Sequence, residues 1–259
     1  MFSFLQDGLL MRLFAGTGED AYTLYLLAFA GFTLGMIAIS YLLGSLNSAI
    51  VLSRILYRDD IRKHGSGNAG LTNMLRTYGK GAAGLTLLGD ILKTALAVLV
   101  GGILFGFGYT AGISLGSYGM CYIAGLFAVL GHIFPIYYKF KGGKGVLATA
   151  TMALILTPIP MLILLALFVV IVAVSKYVSL GSIVGAIFYP VVCYIYCIVA
   201  FDGLTMPAFM ALSTILLAII IVFCHRGNIQ RIQNHTERKL SFKRKPEADE
   251  TVTDDDAED

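Results

Sequence analysis

Apolar runs of up to about 20 residues recur along the chain and alternate with short polar segments. Runs of this length match the hydrocarbon core of a bilayer, which a helix of about 20 residues crosses. The pattern therefore predicts an all-α integral membrane protein, a bundle of seven transmembrane helices. The predicted segments are residues 22–43, 82–107, 117–138, 146–156, 161–175, 180–200 and 207–224.

The fourth and fifth runs have two interpretations. The fourth is short and ends at Thr157-Pro158-Ile159-Pro160, and prolines interrupt helices. The two runs are either separate crossings or one kinked or re-entrant unit.

Basic residues segregate to one set of polar segments. Residues 44–80, 139–144, 176–179 and 225–259 hold 17 of the 19 basic side chains, whereas the opposite set holds Arg12 alone and Lys93 lies within an apolar run. Cytoplasmic loops carry the excess of Lys and Arg. This distribution supports seven spans, with the N-terminus outside and the C-terminus in the cytoplasm.

Both ends differ from the membrane domain, which we assign to residues 22–240. Residues 1–21 form an extracytoplasmic extension that does not resemble a cleaved signal. The extension is a candidate interfacial helix that buries Phe2, Phe4, Leu9, Leu10, Leu13 and Phe14. Residues 241–259 form a charged cytoplasmic tail that we expect to be disordered.

Composition excludes a soluble domain, because 57% of the residues are hydrophobic and only 14% are charged, against about 25% charged in soluble proteins. The four Cys residues lie in apolar runs without zinc or redox spacing, which is typical of buried small side chains. We expect a lipid bilayer as surroundings, and no metal, cofactor or nucleic-acid partner.

Motifs suited to anions occur on the basic side. The first is Gly44-Ser45-Leu46-Asn47-Ser48, with Arg54 beyond it; the second is Gly65-Ser66-Gly67-Asn68-Ala69-Gly70-Leu71-Thr72-Asn73, followed by Arg76. Small residues allow a close backbone approach, and exposed N–H groups bind phosphate oxygens. The alternative is that these are ordinary loops built from turn residues.

The third motif is Lys139-Phe140-Lys141-Gly142-Gly143-Lys144-Gly145, directly before the fourth run. Glycines at a helix start free the first N–H groups for an anion, and the lysines add full charges. The spacing is not that of a Walker A motif. The alternative is a basic anchor that touches lipid headgroups, but the glycines around Lys144 argue against it.

Three further groups complete the candidate chemistry. Ser179 and Ser182 either bind a phosphate or cap a helix, and His225, Asn228 and Glu237 follow the last run. Asp90 and Lys93 lie inside an apolar run, where ionisable residues normally face the bundle interior. At this i, i+3 spacing the two can pair; they and His132 either form an internal structural group or brace the site.

Together these segments resemble the PlsY family, the bacterial acyl-phosphate:glycerol-3-phosphate acyltransferases. The resemblance covers about residues 38–240 and rests on the motifs above, on Ile61-Arg62, Gly131-His132 and Ser179-Leu180-Gly181-Ser182, and on His225-Arg226 with Asn228-Ile229. The chain departs from the family at Leu147, where Ala-Thr is usual after Val146, and at His235-Thr236-Glu237 in place of Gly-Thr-Glu.

The resemblance implies a seven-helix enzyme of the bacterial inner (plasma) membrane with its active site on the cytoplasmic face. It would move a fatty acyl group from acyl phosphate to the 1-position of glycerol 3-phosphate, giving lysophosphatidic acid and phosphate. An acyl phosphate is already activated, so the enzyme must chiefly align two anions. Candidate catalytic residues are Lys144, Ser182, His225, Asn228 and Glu237. Candidate substrate-binding residues are Ser45, Asn47, Arg54, Ser66, Asn68, Thr72, Asn73, Arg76, Lys141, Gly142, Gly143 and Gly145.

The sequence is compatible with several proton acceptors and with a second function. His225, Glu237 and the substrate's own phosphate are all candidates to take the hydroxyl proton. A transporter or channel for small organic anions is the rival function. It would place charges along a path open to both faces, whereas this chain concentrates its basic residues on one side. The absence of an H-x-x-x-x-D pattern, typical of acyltransferases that use thioesters, fits a phosphate donor.

Overall fold

The computed structural model describes residues 2–15, 21–106, 118–200 and 206–240, and within these ranges the regular structure is helical. The helices are α1 Phe2–Leu13, α2 Tyr22–Ser45, α3 Ser48–Tyr57, α4 Leu71–Tyr78, α5 Lys80–Phe105, α6 Tyr118–Ile133, α7 Val146–Leu156, α8 Pro158–Ser175, α9 Val178–Ala200, α10 Ala208–Cys224 and α11 Arg226–Gln233. Two 3₁₀ turns, Ile61–Lys63 and Ile136–Tyr138, lie in the connecting loops.

The apolar helices are long enough for a bilayer. Among the described residues, five helices are long and apolar enough to cross a membrane, namely α2, α5, α6 extended to Tyr138, α8 and α9. A sixth span arises if α10 and α11, bent by 54° at His225, are taken together. The predicted membrane bundle is therefore confirmed in its helical character, while the number of seven spans remains a prediction.

The interruption predicted near Pro158 is present. Helix α7 ends at Leu156, Thr157 has a non-helical backbone, and Pro158 opens α8 at a position where its missing N–H costs nothing. With 11 residues, α7 is about 16 Å long, about half the thickness of a bilayer core of about 30 Å.

Helix α6 lies at the centre of the bundle. Of its 18 most apolar consecutive residues 72% are buried, whereas the corresponding share for α2 is 11%. Helices α2 and α6 approach so closely that a Cβ on Gly44 would lie 2.0 Å from the Ala128 carbonyl oxygen, and one on Gly131 would lie 2.2 Å from that of Tyr41. Small residues at helix crossings permit such contact in membranes. The crossing fixes the end of α2 beside the loop that follows α6.

The N-terminal helix packs on the bundle. Leu10 is buried with Met36 and Phe105, and Phe14 lies edge-on to Tyr25, whereas Leu13 is 56% exposed. Leu13 therefore lies on the outer side of α1, and its predicted burial in the membrane interface stays a prediction. The side chains of Phe2 and Phe4, and the predicted disordered tail 241–259, lie outside the described residues.

Candidate active site

A cavity of about 640 Å³ opens among the loops at one end of the bundle and extends between α7, α8 and α9. Its polar end is formed by segments that are far apart in sequence. The predicted site residues that line it are Ser66, Asn68, Thr72, Asn73, Arg76, Asp90, His132, Lys144, Gly145, Ser182, His225, Asn228 and Glu237. The fold therefore brings most of the predicted residues to one place.

Lys144 is the centre of the polar end. Its Nζ donates a hydrogen bond to Oδ1 of Asn228, whose Nδ2 donates to Oε1 of Glu237 at 2.7 Å. Burial lowers the pKa of Lys144 to about 8, although the carboxylate of Glu237 opposes the shift. Lys144 is therefore still mainly a cation at neutral pH.

Glu237 is the anion of this group. Its Oε1 also accepts from Ser179 Oγ at 2.8 Å, and its Oε2 accepts from Arg231 Nε at 2.7 Å. Burial alone would raise its pKa, but the hydrogen bonds from Asn228, Ser179 and Arg231 outweigh burial and hold the pKa below its ordinary value. We call Lys144, Asn228, Arg231 and Glu237 the Lys144 cluster.

His225 follows α10 directly beside this cluster. Burial, and then the charge of Lys144, lowers the pKa of His225 to about 4, so the ring is neutral at pH 7. Its Nδ1 lies 2.8 Å from the Ile221 carbonyl oxygen and must be the protonated nitrogen. The other nitrogen, Nε2, is therefore an acceptor.

The chain after α11 closes over this end. The N–H groups of Thr236 and Glu237 donate to the Arg231 carbonyl oxygen at 2.8 and 3.0 Å, and that of Leu240 donates to Lys176 O at 2.8 Å. Arg76 Nη2 reaches the Arg238 carbonyl oxygen at 3.4 Å. These contacts tie the segment Asn234–Leu240 across the polar end.

Asn73 organises the loop between residues 64 and 70. Its Nδ2 donates to the carbonyl oxygens of Ile61, His64 and Asn68 at 3.0–3.2 Å, and its Oδ1 accepts from Ser66 N at 3.0 Å. These bonds use both the donor and the acceptor group of the side-chain amide, so Asn73 shapes the loop. The shaped loop presents Ser66, Asn68 and Thr72 to the cavity.

Below the polar end lies a buried group that we call the Asp90 triad. Lys93 Nζ lies 2.9 Å from Asp90 Oδ1, 2.9 Å from His132 Nδ1 and 3.1 Å from Leu46 O. Because the ammonium donates to Nδ1, His132 is neutral with its proton on Nε2. Asp90 and His132 line the cavity, and the triad joins α5 and α6 to the end of α2.

The glycines before Lys144 pack on this triad. The N–H groups of Gly142 and Gly143 donate to the carbonyl oxygens of Ile133 and His132, both at 3.1 Å. A Cβ on Gly143 would lie 2.1 Å from His132 Nε2. The expectation that these two N–H groups are free for a phosphate is wrong, because the loop uses them to hold Lys144 in place.

Four predicted binding side chains point elsewhere. Ser45 Oγ donates to Tyr41 O at 2.8 Å within α2, and buried Asn47 caps α3 and donates to Ala69 O at 3.3 Å. Arg54 is half exposed and pairs with Asp60 at 3.1 Å, and Lys141 is exposed. None of the four is among the residues that line the cavity. In this conformation local partners or solvent take their polar groups, and the expected substrate contact of these four side chains stays a prediction.

Ser182 lines the cavity, with its Oγ donating to Val178 O at 2.9 Å. Ser179, a candidate phosphate ligand from the sequence, also lines the cavity, and so do Arg231 and Arg238, which are not among the predicted site residues. Ser179 and Arg231 lie three residues from Ser182 and Asn228 on the same helices, a spacing that shares a face. That spacing was the available signal.

In the described part of the chain, no group of three or more His, Cys, Asp and Glu side chains has the arrangement of a metal site. The site is instead made of cations, amides and hydroxyls around a partly enclosed cavity. Such groups suit anions, and the apolar side chains between α7, α8 and α9 suit a lipid chain. Fold and site thus define a helical membrane protein with a cation-rich, partly enclosed cavity.

The chain belongs to the glycerol-3-phosphate acyltransferase family, whose sequence pattern matches residues 34–235. It is 40% identical over 208 residues to the glycerol-3-phosphate acyltransferase of Syntrophomonas wolfei, covering 80% of this chain and 97% of that protein. A protein of the same name from Coxiella burnetii is 41% identical over 209 residues, with 80% and 97% coverage.

Solved structures agree with the family. The crystal structure of PlsY (YgiH), an integral membrane glycerol 3-phosphate acyltransferase, in its glycerol 3-phosphate form aligns with a TM-score of 0.68 at 30% identity, covering 81% of this chain and 96% of that one. The lysophosphatidic acid form aligns with a TM-score of 0.66 at 28% identity, with the same coverage.

Proposed function

We propose that this protein transfers a fatty acyl group from acyl phosphate to the 1-hydroxyl of glycerol 3-phosphate, giving lysophosphatidic acid and inorganic phosphate. The observation that carries the proposal is the position of Lys144, a half-buried cation at the junction of a polar and an apolar part of one cavity. A reaction between a phosphate-bearing headgroup and a lipid chain needs such a junction.

The charge of the polar end favours two anions. Among the described residues, the cations Arg76, Lys144, Arg231 and Arg238 line it, and the carboxylates there are Glu237 and Asp90, of which Lys93 neutralises Asp90. Both proposed substrates carry a phosphate, and their mutual repulsion must be offset when they meet. An excess of fixed cations in a partly enclosed site does this without rearrangement.

The reaction needs no protein nucleophile. The glycerol hydroxyl oxygen attacks the acyl carbonyl carbon, the bond from that carbon to the phosphate oxygen breaks, and phosphate leaves near Lys144. A phosphate oxygen, with a second pKa of about 6, is a stronger base than His225 with a pKa of about 4. We therefore assign the hydroxyl proton to a phosphate oxygen, with His225 Nε2 orienting the hydroxyl and Glu237 holding Asn228.

The membrane arrangement belongs to the same proposal. We propose seven crossings over residues 22–240, with α7 and α10 as the shorter ones, the N-terminus outside and the cavity on the cytoplasmic side of the inner membrane. The support is the segregation of 17 of the 19 basic residues to the loops on the side of the cavity. A cysteine placed at residue 68 or 235 should then react only with reagents on the cytoplasmic side.

The direct test is an acyl-transfer assay with purified protein. Acyl phosphate and glycerol 3-phosphate should give lysophosphatidic acid and phosphate in equal amounts, and added inorganic phosphate should inhibit. Acyl-coenzyme A with the same chain should be a poor donor, because the discriminating contacts are at the phosphate. Efficient transfer from acyl-coenzyme A and none from acyl phosphate would defeat the donor assignment.

Movement of glycerol 3-phosphate across the membrane of vesicles that contain the protein, without acyl transfer, would favour a transporter.

A further inference from the structure

The cavity has a second, apolar part whose shape is set by three helices. Helix α9 contributes Gly185, Ala186 and Tyr189, and α7 and α8 face them with Ala153, Leu164 and Phe168. We call this part the apolar branch. It continues from the polar end at Ser182 and ends against Tyr189, which is only 3% exposed.

Gly185 leaves the branch open. A Cβ built on this residue would have no heavy atom within 4 Å outside its own helix. The neighbouring glycine of the same helix differs, because a Cβ on Gly181 would lie 2.8 Å from the Phe168 ring. Gly181 is therefore explained by packing of α9 on α8, whereas the missing side chain at Gly185 has no such packing reason.

We propose that Gly185 determines acyl-chain selectivity, by keeping the apolar branch open to the long chain of the donor. The inference rests on the proposed function, since it concerns the donor of that same site. Gly costs a helix about 1 kcal/mol relative to Ala, and unlike Gly35, whose Cβ would also meet nothing within 4 Å, Gly185 lines the cavity.

The depth of Gly185 sets which chains it affects. It lies less than one turn beyond Ser182, about 4.5 Å along α9, and Tyr189 lies about 10 Å along it. An extended chain advances about 1.2 Å per bond, because three backbone bonds of an extended polypeptide span about 3.3–3.6 Å. About four carbons therefore reach the level of Gly185, and about eight reach Tyr189.

A longer chain leaves the bundle at its side. Leu165 of α8 lines the cavity and is nevertheless 44% exposed, so the branch reaches the outer surface of the bundle at this level. The remaining carbons then lie in the surrounding lipid. A side chain at position 185 blocks every chain that must pass it, whatever the total length.

The experiment measures kcat/KM of purified Gly185→Leu with butanoyl phosphate and with hexadecanoyl phosphate, at saturating glycerol 3-phosphate. We expect the ratio of hexadecanoyl to butanoyl kcat/KM to fall at least about ten-fold, the discrimination that a few methylenes give in an apolar pocket. Gly185→Ala should lower the ratio by less. Leucine is a better helix former than glycine, so the substitution does not weaken α9 itself.

Gly35→Leu is the matched control. Gly35 lies on the exposed surface of α2, away from the cavity, and a Cβ there also meets nothing within 4 Å. The ratio of hexadecanoyl to butanoyl kcat/KM in Gly35→Leu should equal that of the parent protein. An unchanged ratio in Gly185→Leu, including an equal loss with both donors, would overturn the inference and leave the proposed function intact. A parent protein that transfers from neither donor would overturn both.

Discussion

The Asp90 triad and the Lys144 cluster are two charged groups that both contribute to the lining of the cavity, and they differ in charge balance and in exposure. The triad contains one anion, one cation and a neutral histidine, all buried, and each charge has its partner within the group. The Lys144 cluster contains one carboxylate and two cations, with Arg76 and Arg238 beside it, and it opens into the cavity. A charge group that satisfies itself supports the fold, whereas one with excess positive charge can bind an anion.

The largest expected effect is on stability, in the triad. Lys93→Met removes the cation and leaves Asp90 unpaired in the bundle, which should lower the free energy of unfolding by about 3–5 kcal/mol. The measurement is thermal or denaturant unfolding in detergent. The double variant Asp90→Asn/Lys93→Met should recover much of the loss. Equal stability of Lys93→Met and the parent would show that the triad does not brace the bundle.

The next effect is on turnover, in the Lys144 cluster. Lys144→Ala should lower kcat about a hundred-fold to a thousand-fold, the usual loss when one charge-stabilising donor is removed, while the unfolding temperature stays near that of the parent. Lys141→Ala is the control, because that lysine is exposed and lies outside the cavity. A similar loss of kcat in both variants would mean that turnover depends on the total positive charge of the loop and not on the position of Lys144.

Glu237 should have a moderate effect. Glu237→Gln keeps the shape but weakens the bonds from Ser179, Asn228 and Arg231. We expect kcat/KM to fall about ten-fold, equivalent to about 1.4 kcal/mol, without a change in the form of the pH profile. If Glu237→Gln instead lost the fall of kcat/KM at acidic pH that the parent shows, Glu237 would be the general base.

The smallest effect follows from the pKa of Lys144. Burial lowers that pKa to about 8, and a lysine loses its charge as the pH rises through its pKa. The kcat/KM should therefore decline above about pH 8, with at most about a ten-fold loss per pH unit. Lys144→Arg, if active, should carry its charge to higher pH and move the decline upward. A profile of Lys144→Arg that declines at the same pH would assign the titration to another group.

The sequence predicted much of this contrast. Long apolar runs located the helices, Pro158 located the break before α8, and the spacing of Asp90 and Lys93 predicted their pairing. Each of these features depends on local pattern, because periodicity and residue type act over a few positions. The convergence of the loops followed from the one-sided distribution of basic residues and from the family resemblance.

The orientation of individual loop side chains could not be predicted in the same way. Asn47 caps a helix and Arg54 pairs with Asp60, although both residue types suit a phosphate. A sequence gives the donors and acceptors of a loop but not the face that turns to the cavity. Gly142 and Gly143 illustrate the point, since their N–H groups donate to the carbonyl oxygens of Ile133 and His132, which lie 9 and 11 residues earlier in the chain.

The segment Asn234–Leu240 also has a consequence for the order in which the enzyme becomes active. A ribosome releases the N-terminal helices first, so the triad and Lys144 reach the membrane well before Glu237 is made. Until then Asn228 lacks its carboxylate partner and the polar end lacks the segment tied to Lys176 and Arg231. A nascent or truncated chain that stops before residue 237 is thus an inserted bundle with an unfinished site, and acyl transfer begins only when synthesis is nearly over.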